Sequence, residues 1–166
     1  MTVLFRGKWS VMSQFYETAN FVVEAPGSPH VDRLEGGHVV IYPRVRVVDR
    51  THLEPALAIE LMKLTMMVGE AMNTALNRRG IDVVRINYQD NGNWGWDNAA
   101  GPALHVHLYG RAKSARVQKY TEALQLPRTP SFYEGVSPLN EGDIAAMREE
   151  IERLAATTKY REFPTG

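Results

Sequence analysis

The chain has 166 residues, 44% of them hydrophobic and 23% charged, which suits one soluble globular domain and excludes a disordered or fibrous chain. Nineteen Lys and Arg against nineteen Asp and Glu give a formal net charge of +0, so the positive excess that draws a protein to duplex nucleic acid or an anionic membrane surface is missing. There is no cysteine, which removes disulfides, thiolate metal sites and Cys nucleophiles and leaves His, Asp, Glu, Ser and Lys to carry chemistry.

Met1 to Trp9 carries Arg6 and Lys8 but is followed by polar Ser13, Gln14 and Glu17, so no signal peptide is expected. No stretch approaches a membrane span, and a cytoplasmic setting is the expectation. Asn20 to Val23 and His38 to Tyr42 are rich in β-branched and aromatic residues and read as strands, separated by a turn-rich segment from Ala25 to Gly37. From Leu53 to Arg79 the residues Leu53, Leu57, Leu61, Leu64, Val68, Met72 and Ala75 recur at steps of four and three, the signature of a helix with one buried face. Thr51 with Glu54 has the spacing of a capping box, and Pro55 fits a first turn. Arg78 and Arg79 suit the negative end of the dipole, and Gly80 can take the left-handed conformation that stops the helix. Met62, Met66, Met67 and Met72 read as core filling.

Beyond the helix, Val83 to Tyr88 alternates, and Ala103 to Tyr109 alternates more cleanly, with Leu104, Val106 and Leu108 on one face and Ala103, His105, His107 and Tyr109 on the other. The connection Gln89–Pro102 between them is long and holds three Gly and two Trp, and long loops in compact domains are often functional. Gln125 to Asn140 is irregular, and a second amphipathic helix is expected from about Glu141 to Ala156, capped by Asn140, with Ile144, Met147, Ile151 and Leu154 as its stripe. Strands in runs around one long helix predict an α+β domain spanning residues 1–166, mainly an antiparallel sheet packed against that helix, with an extra C-terminal helix.

His105 and His107, at i and i+2 of a strand, project to the same side and can address one ligand. Three readings of such a pair stay open on residue type alone: structural histidines, metal ligands, or catalytic and phosphate-binding groups. The metal reading needs further ligands from His30, His38, His52 or a carboxylate, and no recognisable spacing supplies them. The nucleophilic reading needs a neutral imidazole with one nitrogen free and the other held by an acceptor, beside donors for developing charge. Trp94 and Trp96 could stack on a base or pin their loop, and Lys113 and Arg116 beside Arg111 could collect phosphate charge or face water.

The run Leu104–His105–Val106–His107–Leu108–Tyr109–Gly110–Arg111 resembles the signature strand of the histidine triad (HIT) nucleotide hydrolases and transferases. Upstream, Gly37–His38–Val39–Val40–Ile41–Tyr42–Pro43–Arg44 followed by the Leu53–Glu54–Pro55 start of the helix, then Ile86–Asn87, Asp90–Asn91–Gly92 and Ala100–Gly101, are similar to that family's elements in the same order. The likeness spans about residues 21–111 and leaves 112–166 as a C-terminal extension. It implies a HIT-like fold and a nucleotide hydrolase acting on phosphoanhydrides or phosphoramidates, dinucleoside polyphosphates foremost, through a nucleotidyl-histidine intermediate. Aligning Arg111 with the family's Arg places the nucleophile at His105 and a phosphate donor at His107. Asn87, Asn91, Gly101, Arg111 and Asp32 are then implied for nucleotide and phosphate binding, and His38 as a supporting residue.

The first triad position falls on Ala103, and Arg46 stands where a further His is common, so this is an atypical member on the resemblance. A second register, with His105 first, His107 as nucleophile and Tyr109 last, keeps the strand alternation but loses the match at Arg111. No metal or other cofactor is required for the covalent step, although Mg2+ could accompany the substrate. A homodimer through the long helix and an adjoining strand is also implied. The competing expectations are a catalytically impaired nucleotide-binding or interaction protein, and a metal-dependent enzyme with His105 and His107 as ligands.

Overall fold

The computed structural model describes residues 13–97 and 99–163. The segment Met1 to Trp9, for which no signal peptide is expected, lies outside the described residues. Five antiparallel strands, β1 (Ser13–Glu17), β2 (Phe21–Ala25), β3 (His38–Pro43), β4 (Val83–Gln89) and β5 (Val106–Ala112), form one sheet in the order β1-β2-β3-β5-β4. Helix α1 (Pro55–Arg78) covers one face of this sheet, α2 (Glu141–Ala155) packs against α1, and α3 (Thr158–Arg161) follows it. The fold is the α+β arrangement expected from the order of the elements.

The alternation of the strands separates two faces. Phe21 and Val23 of β2, Val39 and Ile41 of β3, Ile86 of β4, and Val106 and Leu108 of β5 enter one core with Leu61, Leu64, Val68, Met72 and Ala75 of α1. The helix stripe is therefore the one the periodicity marks, except that Met62 and Met66 are exposed while Met67 and Met72 are buried. The other sheet face carries His38, Val40 and Tyr42 of β3 beside His107 and Tyr109 of β5, with His38 opposite Tyr109 and Val40 opposite His107. Asn87 and Gln89 of β4 stand opposite Tyr109 and His107 on the far side, so all these residues share that face.

Three local expectations change. The box between Thr51 and Glu54 does not form, because the Asp49 carboxylate takes the Thr51 amide at 2.9 Å and its hydroxyl at 2.7 Å, making a separate 3-10 turn at Arg50–His52. Glu54 occupies the cap position of α1 without a side-chain cap bond, and Pro55 opens the helix. β5 starts at Val106, later than Ala103, because Leu104 donates its amide to Val47 across an irregular stretch. β1 was not expected from its polar sequence, in which Phe15 alone is buried.

Two glycine positions are dictated by close approach. A Cβ on Gly110 would lie 2.0 Å from the Gly36 carbonyl oxygen, and Gly36 itself has φ of 123°. The chain ahead of β3 thus crosses directly over β5, which brings His30 onto the histidine face. Asn140 and Asp143 form a reciprocal cap on α2, and the same Asp143 pairs with Arg33 and Arg79, tying α2 to the turn before β3 and to the end of α1.

Candidate functional site

Four of the five histidines gather on the sheet face opposite α1. The ring of His30 lies 4.9 Å from that of His38 and 5.7 Å from that of His107, and the His105 ring meets His107 edge-on at 4.7 Å. His38 and His107 are buried, and His105 is half-buried.

Hydrogen bonding assigns the protons. The backbone N–H of His30 donates to His38 Nδ1 at 3.2 Å, so a neutral His38 carries its proton on Nε2. That Nε2–H points at His107 Nδ1, 2.8 Å away, which makes His107 Nδ1 an acceptor and leaves the His107 proton on Nε2. His105 is wired the opposite way: its Nδ1 lies 2.8 Å from the Ala103 carbonyl oxygen, which can only accept, so Nδ1 carries the proton and Nε2 keeps a lone pair. Two imidazoles two residues apart therefore present opposite chemistry, an N–H donor at His107 and a basic nitrogen at His105.

Burial keeps His30, His38 and His107 uncharged. Desolvation, reinforced by His105 and His30, pushes His107 down to about 2, and desolvation with His105 takes His30 to about 4. His38 is lowered well below the ordinary histidine value, first by burial and then by its three histidine neighbours. Tyr109 is raised by burial, and its hydroxyl stands 2.8 Å from His30 Nδ1 and bonds to the Asn91 side chain.

The expected residues separate into two groups. His38, His105, His107, Asn87 and Asn91 come together on this face. Gly101 has φ of 69°, and its two neighbours in sequence offer their carbonyls to Arg46, Ala100 directly and Pro102 at 2.6 Å. Asp32 is occupied elsewhere, accepting from Leu34 N at 2.7 Å and Ser137 N at 2.7 Å. Arg111 is buried, and one guanidinium nitrogen donates to the carbonyls of Gln118, Lys119 and Glu122, so it organises the loop after β5. Sequence reading placed His30 in a turn-rich segment and named it only as a possible further metal ligand, and it did not single out Gln89 or Tyr133. Tyr133 comes from the C-terminal extension, 5.6 Å ring to ring from His30, and no local pattern announces that. His30 sits eight residues ahead of His38, and its place depends on the crossing at Gly36 and Gly110.

The extension also closes a cavity of about 530 Å³ beside His30, walled by Leu34, Arg116, Val117, Phe132 and Val136. Its loop is held by Glu35, whose carboxylate accepts the backbone N–H groups of Arg116, Val117 and Gln118, each at 2.8 Å. A second groove of about 430 Å³ lies along α1 between Tyr16, Ile59, Lys63 and Met67, with no histidine in its lining. The histidine face is the one with chemistry.

His30, His38 and His107 each bring one ligand-type nitrogen within 4.8 Å of the others, a spacing that could suggest a metal site. The proton assignment argues against it. His38 uses one nitrogen to accept a backbone amide and the other to donate to His107, so a cation taken by either nitrogen displaces at least one of these bonds.

No protein-family model matches the chain, and no curated protein matches it in sequence. Solved structures do match its fold. A hypothetical histidine triad nucleotide-binding protein from Sulfolobus tokodaii strain 7 superposes with a TM-score of 0.57 at 17% identity, covering 88% of this chain and 87% of that one. A zinc-bound histidine triad family protein from Mycobacterium smegmatis has the same TM-score and identity, with 89% and 88% covered. A histidine triad protein from Marinobacter aquaeolei gives 0.55 at 16% identity, with 92% and 91% covered. The chain therefore has the HIT fold. Covering 88% to 92% of this chain, the matches extend beyond the 21–111 core.

Proposed function

We propose that the chain is a nucleotide-binding hydrolase of HIT type, cleaving nucleoside phosphoanhydrides or phosphoramidates of the dinucleoside polyphosphate class through a nucleotidyl-histidine on His105. The observation that carries this reading is the Nδ1–H of His105 donating to Ala103 O, which leaves Nε2 as a nucleophile without any base to deprotonate it. Nε2 attacks the α-phosphorus, the bond from phosphorus to the leaving oxygen or nitrogen breaks, and the positive charge arising on the ring is eased by the Ala103 carbonyl. His107 Nε2–H donates to a phosphoryl oxygen, and its orientation is maintained by His38. Water then cleaves the phosphorus–nitrogen bond. A Mg2+ ion would accompany the phosphates of the substrate, and the steps assigned to His105 and His107 do not involve it.

This reading selects the register that matches Arg111, since the lone pair belongs to His105. Ala103 contributes through its backbone carbonyl, so the absence of a histidine side chain at that position leaves the tautomer of His105 intact.

Two copies are proposed to pair through α1 and β4. Met62 and Met66 are exposed on one face of α1, and Val84 and Tyr88 are exposed on β4, the edge strand of the sheet.

The test is turnover of an α-labelled dinucleoside polyphosphate, with and without chelator. Release of nucleoside monophosphate that survives chelation, with label on the protein that disappears in His105→Ala, is the expected result. Loss on chelation would favour the metal-dependent enzyme, and tight binding without turnover the impaired binding protein.

A further inference from the structure

Three arginines, Arg44, Arg46 and Arg50, lie between β3 and α1. Arg44 pairs with Glu17 and Arg50 with Asp90, whereas Arg46 has no carboxylate partner among the described residues. One terminal nitrogen of its guanidinium holds the carbonyls of Ala100 and Pro102, on either side of Gly101. Guanidinium has five N–H donors, and these two bonds use only one of its three nitrogens. The next residue, Val47, accepts the amide of Leu104, the neighbour of His105, and Tyr42 just upstream stacks on the His105 ring at 5.8 Å. A fixed, uncompensated and solvent-open positive charge is thus held on the segment that leads into the nucleophile. His30, His38 and His107 are neutral, so these three rings offer no positive charge to a polyphosphate.

Building on the hydrolase reading, we propose that Arg46 binds the departing phosphate chain and so makes the enzyme prefer anionic, phosphate leaving groups over neutral amines. When the phosphorus–oxygen bond breaks, its electron pair stays on the leaving oxygen, and the added negative charge falls on the terminal phosphate of the departing chain. That group leaves as an anion and needs no proton. The remaining donors of Arg46 meet this charge in a planar fork, as guanidinium meets phosphate generally. An amine leaving group instead takes a proton from solvent water, departs neutral and gains nothing from a cation.

The experiment compares kcat/KM of the wild type, Arg46→Gln and Arg46→Lys on diadenosine tetraphosphate and on adenosine 5′-phosphoramidate. Arg46→Gln is expected to lose roughly 10- to 100-fold on the tetraphosphate, the range for a hydrogen bond to a charged group, and less than about 3-fold on the phosphoramidate. Arg46→Lys keeps the charge and should recover part of the loss. Inorganic tripolyphosphate should inhibit the wild type more strongly than Arg46→Gln. Equal losses on both substrates would make Arg46 only a brace for the 100–102 loop and overturn the proposal. Wild-type protein that turns over the phosphoramidate but is indifferent to Arg46 on the tetraphosphate overturns it while leaving the hydrolase reading standing. Wild-type protein that labels on neither substrate removes both.

Discussion

At the scale of the residue, the decisive feature is that two imidazoles on one strand carry their protons on opposite nitrogens. The difference comes from a single acceptor and a single donor: Ala103 O against His105 Nδ1, and His38 Nε2–H against His107 Nδ1. Replacing His38 by Asn removes the donor that fixes His107, whose proton is then free to move to Nδ1 and leave no N–H for the phosphate. His38→Asn should lower kcat by about 10- to 100-fold, in line with loss of one charge-stabilising donor, with KM changed little; steady-state kinetics decide it. The same cluster makes stability depend on pH. In the unfolded chain these histidines titrate near about 6.5, whereas in the fold His30 is held at about 4, His107 at about 2 and His38 well below its ordinary value. Lowered values mean that the unfolded state binds protons first as pH falls. The stability the neutral cluster contributes is complete above pH about 6.5 and is lost below it. Urea midpoints should fall steeply from pH 7 to pH 5, and His107→Asn should flatten that slope; equal slopes in the two proteins would sink the assignment.

At the scale of the element, Gly36 and Gly110 set where the chain crosses the sheet. Gly110→Ala places a methyl 2.0 Å from a backbone oxygen that no rotamer change can move aside. The expected loss is about 3 kcal/mol or more, at the severe end for single substitutions. Gly80→Ala meets nothing within 4 Å and suffers only from its φ of 82°, so it should cost about 1–2 kcal/mol. Chemical denaturation of the pair separates a steric crossing from a mere turn. This contrast also explains what was legible beforehand. Helix α1, the His-x-His face and the capped α2 follow from patterns local to a dozen residues, and the sequence reading places them within a few positions. Strand β1 carries no such pattern, because only Phe15 of its five residues is buried and the sheet supplies its pairing. Thr51 and Glu54 matched a cap, but the rival acceptor Asp49 was nearer. His30 and Tyr133 could not be assigned, since each reaches the cluster through a contact between segments distant in sequence.

At the scale of the whole molecule, one edge of the sheet remains to be accounted for. β4 ends the strand order, so its outer backbone groups have no partner strand among the described residues, and its side chains Val84 and Tyr88 are exposed beside the helix. Tyr88 packs over Gly69 of α1, where an added Cβ would meet its hydroxyl at 2.0 Å, and Met62, Met66 and Gly69 are spaced at four and three on one side of that helix. An apolar strip thus runs from α1 onto an open strand edge, and a two-fold axis beside it would bury both the strip and the edge in a self-complementary contact. The alternative, that these residues only face water, leaves an unprotected edge strand without the charges or proline that normally guard one, apart from Arg85. Sedimentation should therefore give twice the 18.7 kDa of a single chain. The double variant Met62→Glu, Met66→Glu places like charges across the axis and should sediment as a single chain with its far-UV circular dichroism unchanged. Because the histidine cluster lies on the opposite sheet face from α1, the dissociated variant should retain labelling at His105; a wild-type protein that sediments as one chain at micromolar concentration would remove the pairing and leave the site untouched.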